Sequence, residues 1–242
     1  MKAIILAAGR GSRLQGLTDQ KPKCLVELDG RPLLDYQLEA LRNAGISEIG
    51  IVTGYRKEAL GGRGLMEFHN PCWDRTNMVS SLACANRWLL EGPVIVSYSD
   101  IFYEPSAVIS LIESAAELAI TFDLNWLSLW SRRFENPLED AETFRLNVDG
   151  HLTEIGQRPK SVVEVQGQYM GLLRLTPVAW DEISRIRAKL TPHERERMDI
   201  TGTLQRIIEA GRVAITAIPY TGIWGEVDTE ADLALYRSPR SK

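Results

Sequence analysis

The chain has 242 residues, and its 28 lysines and arginines face 32 aspartates and glutamates, which gives a formal net charge of -4 at pH 7. This balance disfavours a nucleic-acid-binding protein, which needs an excess of positive charge along one face. Hydrophobic residues make up 44% of the chain and charged residues 25%, as in folded globular domains rather than disordered ones. The longest apolar run, from Ala3 to Ala8, is far shorter than the roughly 18 residues that a membrane-spanning helix requires. We therefore expect neither a nucleic-acid nor a membrane partner.

The three cysteines, Cys24, Cys72 and Cys84, form no recognisable motif. Their number is odd, and no pair has the Cys-x-x-Cys spacing of zinc and redox sites. A disulfide framework is therefore not expected, and reduced cysteines are typical of a cytoplasmic protein. Arg10 and Arg13 follow the apolar start at once, which is untypical of a secretion signal. We therefore predict a cytoplasmic location.

Apolar runs of strand length alternate with segments of helical periodicity in the first half of the chain. A continuous apolar run is typical of a buried parallel strand, and alternation with helices indicates a parallel sheet. The predicted strands are 2–7, 48–53, 93–97 and 119–122, and the predicted helices are 32–44, 78–90 and 105–116.

The pattern changes near residue 136, where Pro137 and then Asn147-Val148-Asp149-Gly150 indicate a loop and a hairpin turn. The sequence therefore predicts one α/β domain over residues 1–242, a Rossmann-like three-layer sandwich with a mostly parallel mixed sheet. A small inserted subregion is expected at about residues 124–170. The remaining predicted strands are 144–148, 152–155, 169–175 and 213–218, and the remaining helices are 178–189, 202–210 and 229–236.

A loop of small and basic residues follows the first predicted strand. Residues 6–14 read LAAGRGSRL, and Lys21-Pro22-Lys23 comes shortly afterwards. The alanines and glycines let a ligand approach the backbone, whose exposed N–H groups can bind phosphates. Open α/β sheets bind their ligands at this edge, beyond the carboxyl ends of the strands. The sequence therefore predicts a phosphate-binding loop with Arg13 and Lys23 as its fixed positive charges.

Two common phosphate-binding motifs are excluded. A dinucleotide fingerprint needs a third glycine where this chain has Leu14, and an acidic residue where the second strand ends in Val52-Thr53-Gly54. A P-loop needs Gly-Lys followed by Ser or Thr, which occurs nowhere in the chain. The loop is therefore expected to bind neither NAD nor ATP in those ways.

Two aspartates follow apolar segments in positions that suit a metal site. Asp100 comes just beyond the predicted strand 93–97, and Asp228 follows Val227. Each aspartate could instead cap a following helix, as Thr229-Glu230 after Asp228 suggests. Two carboxylates near a phosphate loop suit one Mg²⁺ ion that also binds phosphate oxygens. We therefore predict Mg²⁺ as the cofactor, with Asp100 and Asp228 as its ligands.

The pattern LAAGRGSRL followed by Lys21-Pro22-Lys23 resembles the signature of nucleotidyltransferases of the sugar-1-phosphate type. The resemblance continues through 32–44, Ile51 to Tyr55, Asp100 and Trp224 to Asp228, so it covers nearly the whole chain. It implies transfer of a nucleoside monophosphate from an NTP to a phosphorylated acceptor, with Arg13 and Lys23 as catalytic residues. The nucleotide-binding residues that it implies are Leu6, Ala7, Ala8, Gly9, Gly11, Ser12, Gly54, Asn77, Ser81 and Ser99.

Within this family, the middle of the chain is similar to the phosphocholine, phosphonate and phosphoramidate-precursor cytidylyltransferases. The similarity lies in 73–82, 126–134, 137–143, 157–160 and 166–169. It implies that the subregion 124–170 binds the acceptor, with Trp126, Trp130, Arg133, Arg158, Lys160, Gln168 and Glu226 as substrate-binding residues.

Several of these residues also have structural interpretations. Trp126 and Trp130 share a helix face at i, i+4 and could be core residues or could cage a quaternary amine. Asn77 could cap a helix. Asp140 and Glu142 could bind an ammonium group of the acceptor or could simply be solvated.

The sequence thus predicts an Mg²⁺-dependent cytidylyltransferase. Its partners would be CTP and a small phosphorylated or phosphonate acceptor that resembles 2-aminoethylphosphonate, phosphocholine or phosphoglutamine. One alternative is a sugar-1-phosphate nucleotidyltransferase that uses UTP, dTTP or GTP. Another is a nucleotide-binding regulatory subunit without activity, and a homodimer is a further hypothesis.

Overall fold

The computed structural model describes residues 1–237, apart from the side chain of Gln15. The prediction that the domain extends to residue 242 therefore falls partly outside the described residues. The strands are β1 (Lys2–Ala7), β2 (Glu27–Leu28), β3 (Arg31–Pro32), β4 (Glu48–Thr53), β5 (Met66–His69), β6 (Val94–Tyr98), β7 (Ile101–Tyr103), β8 (Leu118–Asp123), β9 (Phe144–Leu146), β10 (Leu152–Ile155), β11 (Gln168–Leu175), β12 (Ile215–Tyr220) and β13 (Trp224–Glu226). The helices are α1 (Leu33–Asn43), α2 (Met78–Ala83), α3 (Asn86–Glu91), α4 (Pro105–Glu113), α5 (Trp126–Arg133), α6 (Pro177–Ala188), α7 (Pro192–Glu196), α8 (Ile200–Ala210) and α9 (Glu230–Tyr236).

The central sheet has seven strands in the order β12-β8-β11-β6-β1-β4-β5. Neighbouring strands are parallel except where β11 runs antiparallel to β6 and β8. At the carboxyl end of β1, Leu6 lies opposite Val52 on one side and Tyr98 on the other. The loops that follow β1 and β6 therefore meet at the same edge of the sheet.

Both faces of the sheet are covered, because successive side chains of a strand point to opposite faces. Ile4 and Leu6 pack under the helices α2, α3, α6 and α8, together with the hairpin of β9 and β10. Ala3, Ile5 and Ala7 pack on the other face, under α1, α4 and α5. The prediction of a Rossmann-like α/β sandwich around a mostly parallel mixed sheet is confirmed.

The sequence pattern predicts the positions of most strands and helices, but not of all. The strands predicted at 2–7 and 48–53 agree residue for residue with β1 and β4, and the predicted hairpin is the antiparallel pair of β9 and β10. The helix predicted at 78–90 is in fact two helices, α2 and α3. The N–H of Ala85 donates to the carbonyl of Leu82, and the N–H of Trp88 donates to the carbonyl of Ala85. These hydrogen bonds span three residues, as in a 3-10 helix, and tighten the chain between the two helices.

The sequence does not predict the short strands β5, β7 and β13, since each has only three or four residues, too few for a clear periodic signal. The pair of β7 and β13 matters most, because it lies beside the predicted metal ligands. Across residues 1–237, no helix combines the length and the apolar character that crossing a bilayer requires.

Candidate active site

Lys23 lies at the centre of the site, in a short turn of 3-10 helix (Lys23–Leu25) that follows Pro22. Its Nζ donates to Asp100 Oδ2 at 2.7 Å and also to Asp228 Oδ1. The stem of Lys23 passes against Gly11, where a Cβ atom would come within 2.8 Å of the lysine Cβ. Gly11 also has φ +73°, so this position favours glycine for two reasons. Burial opposes the charge of Lys23, but Asp100 and Asp228 outweigh this and raise the pKa of the ammonium group.

The pairing of β13 with β7 brings the carboxylates together. Glu226 lies opposite Ile101, and the N–H of Val227 donates to the carbonyl of Asp100 at 2.9 Å. Asp100, Glu226 and Asp228 each offer an oxygen, and these three oxygens lie within 4.8 Å of one another. Burial, followed by the charges of Asp228 and Asp100, raises the pKa of Glu226. A positive ion between the three carboxylates would relieve this repulsion.

The three carboxylates fit a divalent cation. The Oδ1 atom of Asp100 is buried and has no hydrogen-bond partner within the described structure. Buried carboxylate oxygens seldom remain without a partner, because their desolvation is costly. Carboxylate oxygens are the hard ligands that Mg²⁺ prefers. The predicted ligands Asp100 and Asp228 thus lie together, and Glu226, predicted as a substrate-binding residue, lies with them.

A cavity of about 300 Å³ lies between the loop after β1 and the end of β6. We call it the loop cavity. The guanidinium of Arg13 forms an ion pair with Asp228 Oδ1 at 3.0 Å, and its side chain is 65% exposed, so it is free to meet an anionic ligand. Many of the predicted residues meet here, because the lining consists of Leu6, Gly9, Gly11, Ser12, Arg13, Lys23, Met78, Tyr98, Ser99 and Asp100.

The other predicted nucleotide-binding residues have structural contacts instead. Ala7 and Ala8 are buried. A Cβ atom on Gly54 would come within 2.6 Å of the carbonyl oxygen of Ala8, so Gly54 keeps two loops close together. Asn77 caps α2 by accepting from the N–H of Met78, and Ser81 accepts from Asn70 at 3.0 Å. None of these five lines the loop cavity.

A second cavity of about 280 Å³ adjoins the first, and we call it the acidic cavity. The two cavities share Arg13, Met78 and Tyr98. Trp130 and Tyr169 supply aromatic surface, and Gln168 and Thr201 supply polar groups. The carboxylates that line the acidic cavity are those of Asp140, Glu142, Asp199, Glu226 and Asp228.

Among the carboxylates of the acidic cavity, Glu142 has a backbone that is held in place by hydrogen bonds. Gln168 holds its backbone on both sides, because the amide nitrogen donates to the Glu142 carbonyl at 2.8 Å and the amide oxygen accepts from the Glu142 N–H at 3.3 Å. Burial, followed by the charge of Asp199, raises the pKa of Glu142 to about 7. Burial disfavours the charged form of this carboxylate, so a cation supplied by a ligand would stabilise it.

Four of the predicted substrate-binding residues do not line the acidic cavity. The Trp126 side chain is 4% exposed, and its Nε1 donates to the Val165 carbonyl at 3.1 Å, so Trp126 is a core residue and no two-tryptophan cage forms. Arg133 is buried against Glu226 and Asp232 rather than in the acidic cavity. Arg158 and Lys160 lie in an exposed loop and do not line that cavity. Periodicity alone does not show which way these side chains face.

Other residues of the acidic cavity were missed by sequence reasoning. Tyr169 stands in the stretch that carries the resemblance, so a signal for it was present. Asp199 gives only the signal of a helix cap, and its carboxylate indeed accepts from the N–H of Gly202 at the start of α8. Met78, Tyr98 and Thr201 come from separate elements and share no sequence pattern.

Comparisons with known proteins agree with this geometry. The profile of the MobA-like NTP transferase domain matches residues 3–142. The CTP:phosphoglutamine cytidylyltransferase of Campylobacter jejuni is 39% identical in an alignment that covers 96% of this chain and 98% of that protein.

Solved structures show the same fold. The inositol-1-phosphate CTP transferase of T. maritima has a TM-score of 0.77 at 21% identity, over 97% of this chain and 93% of that one. The CTP:phosphocholine cytidylyltransferase of Streptococcus pneumoniae has a TM-score of 0.75 at 22% identity, over 97% of both chains. Since the NTP transferase profile matches residues 3–142 and the Campylobacter jejuni relative is 39% identical over nearly the whole chain, the protein belongs to the MobA-like NTP transferase domain family and is a nucleotidyltransferase.

Proposed function

We propose that the protein transfers CMP from CTP to a small phosphorylated or phosphonate acceptor that carries an amine, with Mg²⁺ as cofactor and release of pyrophosphate. The observation that carries the proposal is the position of Lys23, Asp100 and Asp228 where the loop cavity meets the acidic cavity. The choice of CTP is supported by the named activity of the Campylobacter jejuni relative, which aligns with nearly the whole chain.

Each of the two cavities would hold one of the two substrates. The triphosphate would lie in the loop cavity, where Gly9 and Gly11 would let it approach the backbone closely and Arg13 supplies positive charge. The acceptor would lie in the acidic cavity with its phosphate or phosphonate end towards Lys23. An acceptor oxygen then attacks the α-phosphorus, the new P–O bond forms as the bond to the β-phosphate oxygen breaks, and pyrophosphate leaves.

The protein's part in this reaction is positioning and charge stabilisation. Lys23, held by two carboxylates, stands where negative charge builds up on the α-phosphate, and no side chain has to act as a nucleophile. Asp100, Glu226 and Asp228 would hold Mg²⁺. When bound, the ion supplies neutralisation of the triphosphate charge.

The lining of the acidic cavity indicates the acceptor's other end. Glu142 and Asp199 both line this cavity, and neither forms an ion pair within the described residues, so a protonated amine would satisfy both. Tyr98, Trp130 and Tyr169 add aromatic surface, which also favours cations. A cavity of about 280 Å³ suits a compact amine or amino-acid derivative.

The experiment that tests the function is a matrix of nucleotides and acceptors, followed by pyrophosphate release. CTP, UTP, dTTP and GTP are each combined with phosphoglutamine, phosphocholine, 2-aminoethylphosphonate and glucose 1-phosphate. We expect turnover with CTP and an amine-bearing acceptor and none with glucose 1-phosphate. Faster turnover of UTP or dTTP with glucose 1-phosphate would replace the proposal by a sugar-nucleotide activity, and no turnover with any pair would contradict both.

Glu142→Gln should lower kcat/KM for an amine-bearing acceptor by about 10- to 100-fold, because a hydrogen bond between charged groups is lost. The KM for CTP should stay unchanged, since Glu142 does not line the loop cavity. Steady-state kinetics with each substrate varied in turn measures both effects. Glu139→Gln, an exposed glutamate three residues earlier, is the matched control. Equal kcat/KM values for the two variants would remove Glu142 from acceptor binding.

The same glutamate predicts a pH dependence. The pKa of Glu142 is raised to about 7, so the carboxylate gains its charge as pH rises through that value. The kcat/KM for the acceptor should therefore rise from about pH 6 to about pH 8. The acceptor phosphate can titrate in this range too. The pH profile of the wild type is therefore compared with that of Glu142→Gln, which keeps the titration of the acceptor but lacks that of Glu142. Superimposable profiles would show that Glu142 does not titrate in binding.

A further inference from the structure

Arg133 is a buried charge beside the predicted metal ligands. It ends α5, and its side chain is 1% exposed. The guanidinium lies 5.0 Å from the ring centre of Trp130 and 5.2 Å from that of Phe134, so it packs against two aromatic rings. A buried guanidinium is tolerated when its donors are paired, which makes its partners informative.

The guanidinium reaches two carboxylates at once. Its Nη1 donates to Glu226 Oε2 at 3.2 Å, and its Nε donates to Asp232 Oδ1 at 2.9 Å. The other oxygen of Asp232 accepts from the N–H groups of Asp228 and Thr229, at 3.0 and 2.9 Å. Arg133 therefore contacts Glu226, the carboxylate that the structure adds to the candidate metal site, and fixes the backbone of the predicted ligand Asp228 through Asp232.

The remaining nitrogen of the guanidinium is directed at Asp228. Its Nη2 is buried, has no hydrogen-bond partner within the described structure, and lies 4.0 Å from Asp228 Oδ2. The three nitrogens of the guanidinium are thus directed at Glu226, at Asp228 and at Asp232, which holds the Asp228 backbone. This arrangement uses the planar geometry of arginine, which lysine lacks.

We propose that Arg133 is a positioning residue that sets the spacing of the Glu226 and Asp228 carboxylates and thereby the affinity of the site for a divalent cation. The inference rests on the proposed function, because it takes these carboxylates and Asp100 as metal ligands. Residues that orient metal ligands from behind typically change metal affinity or activity by about 10- to 100-fold when they are altered. Arg133 acts through the carboxylates and is not itself a lining residue of either cavity.

The test compares Arg133→Lys with Arg132→Lys, an exposed arginine on the same helix. Both substitutions keep the charge, so a difference between them reports geometry. Binding of Mn²⁺ alone is followed by the loss of the free-ion electron paramagnetic resonance signal. We expect Arg133→Lys to raise the Mn²⁺ Kd by about 10-fold or more, and to raise the Mg²⁺ concentration needed for half-maximal rate, with Arg132→Lys like wild type.

The outcomes separate this inference from the proposed function. Wild-type Mn²⁺ affinity in folded Arg133→Lys protein, even with a lower Tm, would give Arg133 a purely structural role and overturn the inference. Failure of the wild-type protein to bind Mn²⁺ would remove the metal from the proposed function, and this inference with it. If Arg133→Lys does not fold, Asp232→Asn tests the same connection from its other end. Unchanged Mn²⁺ affinity in that variant would likewise overturn it.

Discussion

Replacing Lys23 with alanine should lower kcat by about 100-fold or more, with a smaller change in the KM for CTP. Lys23 is buried, and it is held by Asp100 and Asp228 where the two cavities meet. A charge fixed in a poorly solvated site stabilises the transition state strongly, because no solvent has to reorganise as the reaction proceeds. The losses should therefore appear in kcat more than in ground-state binding.

The matched control is Lys21→Ala, because Lys21 lies two positions earlier and pairs only with the exposed Glu27, at 3.6 Å, among its recorded contacts. Removal of Lys23 leaves the carboxylates of Asp100 and Asp228 without their ammonium partner, so the variant should also unfold at lower temperature. Thermal unfolding and CTP binding by calorimetry establish whether the tested protein is folded and loaded. A folded Lys23→Ala protein whose turnover is within a few-fold of wild type would remove Lys23 from the mechanism.

Under the proposed function, Asp100→Asn and Asp228→Asn should each lower the rate by roughly 100-fold or more, because each would remove a ligand from the same Mg²⁺ ion. The double variant should be little worse than either single one, since residues that act as a unit give strongly non-additive losses. The three oxygens within 4.8 Å of one another are the basis for this expectation. Initial rates over a range of Mg²⁺ concentrations measure it.

Asp181→Asn, an exposed aspartate on α6, is the control for the loss of one carboxylate. Multiplied losses in the double variant would indicate that Asp100 and Asp228 act separately. Activity that persists in an excess of chelator would exclude the shared metal ion for both.

The sequence by itself determined the parts of the site that are contiguous in the chain. A continuous apolar run fixes β1 as a buried strand, and the small residues that follow it cannot fill the space beyond the sheet edge. Gly11, Arg13 and Lys23 therefore reach the loop cavity as predicted. The position of Asp100 after β6 was readable for the same reason, because strand ends at one edge of a parallel sheet lie together.

Only the tertiary structure decided which distant groups meet. Lys23 and Asp228 are 205 positions apart, and they pair because β13 runs along β7, a strand pair too short to be predicted. The acidic cavity likewise combines β6, β11, the start of α8 and the segment around Glu142, which share no periodicity.

The tertiary structure also determined the direction in which individual side chains face. Neighbouring arginines at 132 and 133 look alike in the sequence, yet α5 turns one to solvent and the other onto Glu226 and Asp232. Trp126 faces the core for the same reason. Successive residues of a helix point about 100° apart, so the packing of its apolar face fixes where every other side chain goes.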